Sequence, residues 1–558
     1  MESRNKYEKV TAETKRSLVY VALFGALVNI LMLTGPIFML QVYDRVLTSG
    51  SFSTLLGLFL IVVVLYSFMA AFDFIRSRML SRISFKFDLE LSEASFSLWM
   101  NNTSKMFHSY KPINDISTIR SFISSPTMAN LYDLPWVPFY LLVVFLIHPY
   151  LGGLAMIGSL LISLLAFTNQ WLTKKSNLKS IQADSVESSL LDQCFKNKQT
   201  ISSLGLVGNI RSKWKELRNE GLIVLQSGIE RNEVFTSISK SLRLLLQSSI
   251  LALGAYLALV QEISPGMIVA ASIIAGRALT PIDQVISQWK VIVKSKEAHK
   301  RLTSIYSSQS MIQEDYMDLP SPEGILEVLG VTKFRDSRDK PPILDKVSFK
   351  VNPGEAVGVI GPSASGKSTL ASIVCNALAP ELGEVKFDST NSLQFDPERR
   401  LVGYLPQKVE LFPGTIRDNI SGFDQAETDE DVISAAVIAG VHDMIVGFSD
   451  GYNARIDSDS VNFSGGQIQR IALARAVYKL PKYLVLDEPN SNLDSEGDEA
   501  LKNAISSLKS MGHTILVLTH RPSAIAAVDK ILILSNGKVV EFGEKELVLK
   551  KTLKMVSQ

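Results

Sequence analysis

The chain has 558 residues, of which 46% are hydrophobic and 20% charged, and its mean hydropathy is +0.18. That length exceeds one ordinary domain, and so apolar a composition argues against a purely soluble enzyme and for a membrane part. A formal net charge of +2 gives no reason to expect nucleic acid, and the two cysteines, Cys194 and Cys375, are too few and too far apart for a disulfide framework or a metal site. They read as buried, inert thiols.

The first 17 residues carry several charges and lack a cleavage site of small residues. The apolar run that follows is too long for a signal-peptide core and reads as a retained membrane span. A membrane helix needs about 20 mostly apolar residues. The first half of the chain offers six such stretches, at 18–40, 54–75, 131–147, 151–172, 242–260 and 267–286. The third is the weakest, being short and holding Pro135 and Pro138, which a membrane helix tolerates when neighbours satisfy the backbone.

Short connections (41–53, 148–150, 261–266) alternate with long ones (76–130, 173–241). The long ones hold Arg76, Arg78, Arg82, Lys86, Lys174, Lys175 and Lys179 close to the spans, and the N-terminal tail holds Arg4, Lys6, Lys9, Lys15 and Arg16. The positive-inside bias places the tail, both long connections and everything after the sixth span in the cytoplasm. Apolar residues recur at helical spacing through 85–100 and 190–206, so the spanning helices are expected to run on past the bilayer. Each pair would turn in a short transverse helix, near 115–125 and 204–213, available to a cytoplasmic domain. Asp44 and Arg45 read as a solvated turn or an adaptor contact. Arg277 and Asp283 lie within or near the sixth span, where ionisable groups are costly. Two readings stay open for Arg277: it lines a translocation path, or it belongs to a structural ion pair or a helix end.

At 307–324 the chain turns polar and rich in turn residues, as a linker does. Beyond it, short apolar runs at 356–360, 483–486 and 514–518 alternate with helical patterns, which predicts an α/β domain with a largely parallel sheet. The expected division is a tail at 1–17, a six-span membrane domain at 18–306, the linker, and an α/β P-loop domain at 325–558. No internal repeat is visible.

The phosphate-binding pattern is Gly361-Pro362-Ser363-Ala364-Ser365-Gly366-Lys367-Ser368-Thr369, set between an apolar strand and a helical run. Glycines let the backbone wrap phosphate oxygens, and amides at a new helix start point at the anion. Lys367 can reach the terminal phosphates of ATP, and the Ser368 hydroxyl can ligate Mg²⁺. Downstream, the buried run 483–486 ends in Asp487 and Glu488. Asp487 is placed by the metal, and Glu488 is placed to polarise an attacking water.

Phe463-Ser464-Gly465-Gly466-Gln467 resembles the signature of ATP-binding cassette proteins, with Phe463 in place of the usual leucine. The family's other marks follow in order. Gln407 resembles the Q-loop glutamine, a metal and catalytic position. Residues 491–494 resemble the D-loop, His520 resembles the switch histidine, and Phe334 stands where an aromatic stacks on adenine. The resemblance covers the whole chain. It implies two cassettes meeting head to tail, with Ser464, Gly465, Gly466 and Gln467 acting on ATP held by the partner's phosphate loop, and hence a homodimer with two hydrolysing sites. Fused spans and long cytoplasmic extensions resemble an exporter, with a membrane bundle of six helices joined to a P-loop NTPase domain.

The phrases LMLTGPIFMLQVYDRVL (31–47), DLPWVPFYLLVVFLIHP (133–149), AGRALTPIDQVI (275–286) and LDEPNSNLD (486–494) resemble the PrtD-type ATPases of bacterial type I secretion. That resemblance implies residence in the bacterial inner membrane and a secreted protein substrate with an uncleaved C-terminal signal, in some cases with calcium-binding repeats. It also implies a periplasmic adaptor and an outer-membrane channel. With so few residues ahead of the first span, no leader-processing peptidase domain is expected. A lipid or drug exporter of the same architecture, in contact with membrane lipids alone, is the competing reading. A sensor that uses ATP only to switch is a third, disfavoured by the presence of Glu488 and His520.

Overall fold

The computed structural model describes residues 2–101, 111–309, 322–335, 341–395, 400–456 and 463–556. Two compact units divide the chain, Met1–Gln313 and Glu314–Gln558. Most of the expected linker lies outside the described residues.

Unit one is helical. Among the described residues six helices are long and apolar enough to cross a membrane: Lys6–Ser49, Phe52–Met100, Pro126–Ile147, Pro149–Lys196, Val207–Leu259 and Pro265–Ser287. Each contains or overlaps one of the six apolar stretches of the sequence. The helices Phe52–Asn101, Pro149–Lys196 and Val207–Leu259 have 50, 48 and 53 residues. At 1.5 Å per residue each is about 75 Å long, more than twice a bilayer core of about 30 Å. The tail is no loose arm, because the first helix begins at Glu2. Tyr7 and Val10 are buried there, with the Tyr7 hydroxyl 2.6 Å from His299 Nδ1 and its ring stacked on Tyr306.

The prolines of the third span act locally. They open a single 3₁₀ turn at Leu134–Trp136 between the helices Pro126–Asp133 and Val137–Ile147. Beside that turn lies a buried polar cluster. Asn29 Nδ2 donates to Asp133 Oδ1 at 2.7 Å, Arg76 Nη1 donates to the same oxygen at 3.0 Å, and the Tyr140 hydroxyl donates to Asn29 Oδ1 at 2.9 Å. One carboxylate thus joins the first three spans.

The first transverse helix forms at Pro112–Ile123, held by Arg301, whose guanidinium grips Asp115 at 2.9 and 2.7 Å. The second is displaced from the expected 204–213. It is the short helix Lys198–Ser203, and residues from Val207 on already belong to the long rising helix. The cause is Gly205, in the left-handed region at φ +66°, with Leu206 N bonded to Ile201 O and Gly205 N to Ser202 O. That pair of bonds closes a helix end and fixes the reversal before residue 207.

Asp44 also differs from its reading as a solvated turn. The helix continues through a π-turn at Val42–Val46 and stops only at Gly50. Asp44 accepts from Ser264 Oγ at 2.5 Å and from Gly266 N at 2.9 Å, so it caps the start of the last span. Arg45 is exposed. Asp283 sits in an ion pair with Arg243 at 2.9 Å and accepts from Ser239 Oγ at 2.7 Å, while Arg277 is exposed. Both cysteines are free and half-buried rather than fully buried.

Unit two is α/β. Its strands are β1 Leu326–Lys333, β2 Leu344–Val351, β3 Ala356–Ile360, β4 Leu382–Phe387, β5 Thr390–Asn391, β6 Val402–Leu405, β7 Gly414–Thr415, β8 Arg455–Ile456, β9 Tyr483–Asp487, β10 Thr514–Leu518, β11 Lys530–Ser535 and β12 Lys538–Glu544. One sheet runs β12-β11-β3-β10-β9-β6, parallel except for its β12 edge, and an antiparallel sheet runs β2-β1-β4-β5. β9 and β10 are buried at every position, as strands covered on both faces must be. The loops after β3, β9 and β10 leave the same carboxyl edge of the parallel sheet, where such folds place their ligands.

Candidate functional site

The loop after β3 is shaped by backbone requirements. Gly361 lies so close to the carbonyl of Leu534 that any Cβ there would collide with it, and Gly366 adopts φ +102° as the helix Lys367–Val374 starts. Ala364 is also left-handed, at φ +63°, a conformation costly for a residue with a side chain. Lys367 reaches back across the loop, its Nζ donating to Gly361 O at 2.7 Å and Pro362 O at 3.1 Å. Pro362, Ser363 and Ala364 are exposed, Thr369 is half-buried, and the Ser365 hydroxyl is buried without a hydrogen-bond partner. A buried, unpaired hydroxyl in a cradle of amides fits a site made for an oxyanion.

Asp487 ends β9 and is 2% exposed. Burial pushes its carboxyl above the usual carboxylate range, against the opposing pull of a hydrogen bond from Ser368 and the charge of Lys367. Such a carboxylate favours a cation. Oxygens from Ser368, Asp487 and the Gln407 amide suit Mg²⁺, which takes hard donors and completes its shell with water and phosphate. Among the described residues no cluster of three His, Cys, Asp or Glu side chains could hold a metal.

Glu488 follows at once and is the centre of the arrangement. Gln407 Nε2 donates to Glu488 Oε2 at 3.0 Å, and His520 Nδ1 lies 3.3 Å from Oε1. Two residues far apart in sequence, Gln407 and His520, therefore meet on the carboxylate of Glu488. Glu488 has φ +50°, held there by a bond from its amide to Leu518 O at 2.8 Å. A strained, over-determined backbone of this kind is concentrated at functional sites.

Ser464 caps the helix Gly465–Val477. Its Oγ accepts from Gln467 N at 3.3 Å, and Gln467 Oε1 accepts from Ser464 N at 2.9 Å, a reciprocal box that fixes the helix start. Phe463 is half-buried and packs edge-on against Phe448, so the apolar exchange for leucine keeps an apolar environment. Gly465 and Gly466 lie against Asn492; a Cβ on Gly466 would come within 3.0 Å of its carbonyl oxygen. Asp494 caps the next helix through Gly497 N at 2.8 Å. Phe334 follows the last residue of β1, half-buried, with its backbone N–H on Glu381 Oε2 at 3.2 Å.

Gln469 is a residue that sequence reasoning passed over. It is 3% exposed and sits two positions beyond the signature. Its Nε2 donates to the carbonyls of Glu488 and Pro489, and its Oε1 accepts from Asn492 N at 3.0 Å. One buried amide thus ties the signature helix to the strained backbone of Glu488 and to the loop after it. Its polarity on a largely apolar helix face was the available signal.

A phosphate loop, an acidic strand end, a capped glycine signature and a switch histidine on one α/β unit, fused to six spans, define an ATP-binding cassette exporter subunit. Residues 344–491 match the ABC transporter family model, and residues 18–280 match the ABC transporter transmembrane region. The chain is 37% identical to the type I secretion system ATP-binding protein PrsD of Rhizobium meliloti (strain 1021), over 97% of this chain and 94% of the relative. It is 27% identical to the leukotoxin translocation ATP-binding protein LktB of Mannheimia haemolytica, over 98% of this chain and 77% of that protein. The fold is also that of a bacterial Atm1-family ABC exporter with ATP bound, at TM-score 0.81, 20% identity and 97% coverage of both chains. The chain belongs to the ATP-binding proteins of type I secretion and is an ATPase coupled to transport across a membrane.

Proposed function

We propose that the chain is the inner-membrane subunit of a bacterial type I secretion system, working as a homodimer that moves a protein with a C-terminal signal out of the cytoplasm. A periplasmic adaptor and an outer-membrane channel complete the conduit. Residues 18–306 serve as the translocation unit, 307–324 as the linker and 325–558 as the motor. The observation that carries the motor assignment is the Glu488 carboxylate held between Gln407 and His520.

In this reading the loop amides of 361–367 and Lys367 hold the β- and γ-phosphates of ATP, with the Ser365 hydroxyl as a further donor and Phe334 against the adenine. Ser368, Asp487 and the amide oxygen of Gln407 would hold Mg²⁺, which would supply charge neutralisation at the phosphates. Glu488 accepts a proton from the attacking water. Gln407 and His520 fix the two oxygens of that carboxylate, so no rotamer search precedes attack. Ser464, Gly465, Gly466 and Gln467 close the site from the second copy, their helix-start amides facing the phosphate charge.

The test is the ATPase rate of the purified protein in nanodiscs, with Glu488→Gln as the inactive control, titrated with a C-terminal secretion-signal peptide and separately with lipids. A rate that responds to the peptide alone supports protein secretion. A rate that responds only to lipids or amphiphiles moves the assignment to a lipid or drug exporter.

A further inference from the structure

The last span, Pro265–Ser287, differs from the other five in what it leaves exposed. Each of the others presents large apolar side chains, Leu23, Leu60, Leu146, Leu160 and Leu245 among them. The last span presents none. Past Pro265 its exposed residues are Arg277, Gln284 and Ser287, which with the half-buried Thr280 fall on one stripe at helical spacing. Its other side, with Ile274, Ala278 and Leu279, is packed into the bundle. Arg277 stands about midway along the span.

An exposed leucine on a span suits lipid; an arginine at membrane depth does not, and faces water or protein. This chain offers Arg277 no counter-ion there. The six apolar stretches of the sequence hold three acids, Asp73, Asp133 and Asp283. All three are committed, Asp73 and Asp133 to Arg76 at 2.8 and 3.0 Å, and Asp283 to Arg243 at 2.9 Å. Among the described residues Arg277 makes no hydrogen bond or ion pair. A second copy brings the same three acids, paired in the same way. Lipid phosphates lie at the two surfaces, whereas at 1.5 Å per residue Arg277 is about 18 Å from the start of its span.

We propose that this stripe lines a water-filled conduit and that Arg277 binds carboxylates of the exported polypeptide as it passes. A guanidinium presents paired N–H donors that match a carboxylate in a fixed geometry. Thr280, Gln284 and Ser287 can hydrogen-bond side chains of any kind, so selectivity on the stripe rests on Arg277: acidic segments are favoured and basic ones repelled. The inference rests on the protein-secretion reading for the identity of its ligand.

The test uses the full-length protein in nanodiscs and three peptides that differ only in charge. Each alternates alanine with glutamate, glutamine or lysine and carries an uncharged dye for fluorescence anisotropy. The wild type is expected to bind the glutamate peptide about tenfold more tightly than the glutamine one, the scale of one charged hydrogen-bonded pair, and the lysine peptide least. Arg277→Gln is expected to lose that preference, Arg277→Lys to keep most of it and Arg277→Glu to reverse it. Arg45→Gln, at an exposed arginine beyond the first apolar stretch, is expected to match the wild type. On a background of Cys194→Ser and Cys375→Ser, the thiol of Arg277→Cys is expected to react with a charged, membrane-impermeant thiosulfonate. A wild type that does not distinguish the three peptides overturns the proposal without any variant. So does a glutamate preference that survives in Arg277→Gln, or a thiol at 277 that stays unreactive with and without ATP, as it would if the stripe were buried against the second copy. Failure of the secretion reading registers elsewhere, as an ATPase rate that follows lipids alone while the glutamate preference and the thiol's reactivity persist.

Discussion

Glu488 and its neighbours separate binding from turnover. Glu488→Gln keeps the hydrogen bond from Gln407 and most of the shape, but it removes the proton acceptor. ATP binding is expected to persist while kcat falls by about 10²–10⁴-fold, the span of a general base; equilibrium nucleotide binding and phosphate release on the same preparation check both halves. Gln469 tests a subtler point. Gln469→Leu fills similar space and leaves the carbonyls of Glu488 and Pro489 and the amide of Asn492 without their buried partner. The expected result is a fall in kcat of about tenfold with KM for ATP near the wild-type value, since what is lost is the setting of the carboxylate and not the phosphate cradle. A KM shift with unchanged kcat overturns that positioning role. Asp487 gives a pH signature. Its carboxyl is raised by burial, so protons compete with Mg²⁺ from a higher pH than at an ordinary carboxylate. Mg²⁺-dependent nucleotide binding should weaken on acidification, and Asp487→Asn should flatten that dependence while lowering affinity throughout.

At the level of elements, the legibility of the sequence follows from the range of the interactions that matter. The phosphate loop and acidic strand end are local: glycine spacing and a buried strand dictate them, and residues 361–369 and 487–488 were readable directly. The six spans were readable because a bilayer imposes length and polarity on each stretch by itself. Asp44 was not, since its partners Ser264 and Gly266 lie more than two hundred positions away. The second transverse helix slipped because a helical apolar pattern runs through the reversal, and only the Gly205 conformation breaks it. The Asn29–Asp133–Arg76–Tyr140 cluster is a further long-range feature, invisible to periodicity. Asp133→Ala leaves the buried Arg76 with Asp73 at 2.8 Å as its remaining carboxylate partner and is expected to destabilise the membrane unit by less than the about 3–5 kcal/mol of a wholly unpaired buried charge, whereas an Arg76→Met, Asp133→Leu pair should recover most of that loss. Thermal unfolding of the three variants in detergent checks the order.

At the level of the whole molecule, the signature helix and the phosphate loop of one cassette serve different ATP molecules if two copies meet head to tail. Mixed dimers distinguish this from a site completed within one chain. Take one copy with Lys367→Ala and the other with Ser464→Arg. If sites form in trans, both defects fall on one site and the other stays intact, so about half the wild-type binding capacity remains. Now put both substitutions on one copy beside a wild-type partner. In trans each site carries one defect, and hydrolysis is expected to fall to the level of the Glu488→Gln dimer. Completion within one chain predicts the reverse ranking, with the wild-type copy working in the second mixture and neither copy in the first. Tandem purification of each mixed dimer with differently tagged copies, followed by ATPase and nucleotide-trapping measurements, decides between the two, because the mixtures carry identical substitutions and differ only in how these are shared between chains.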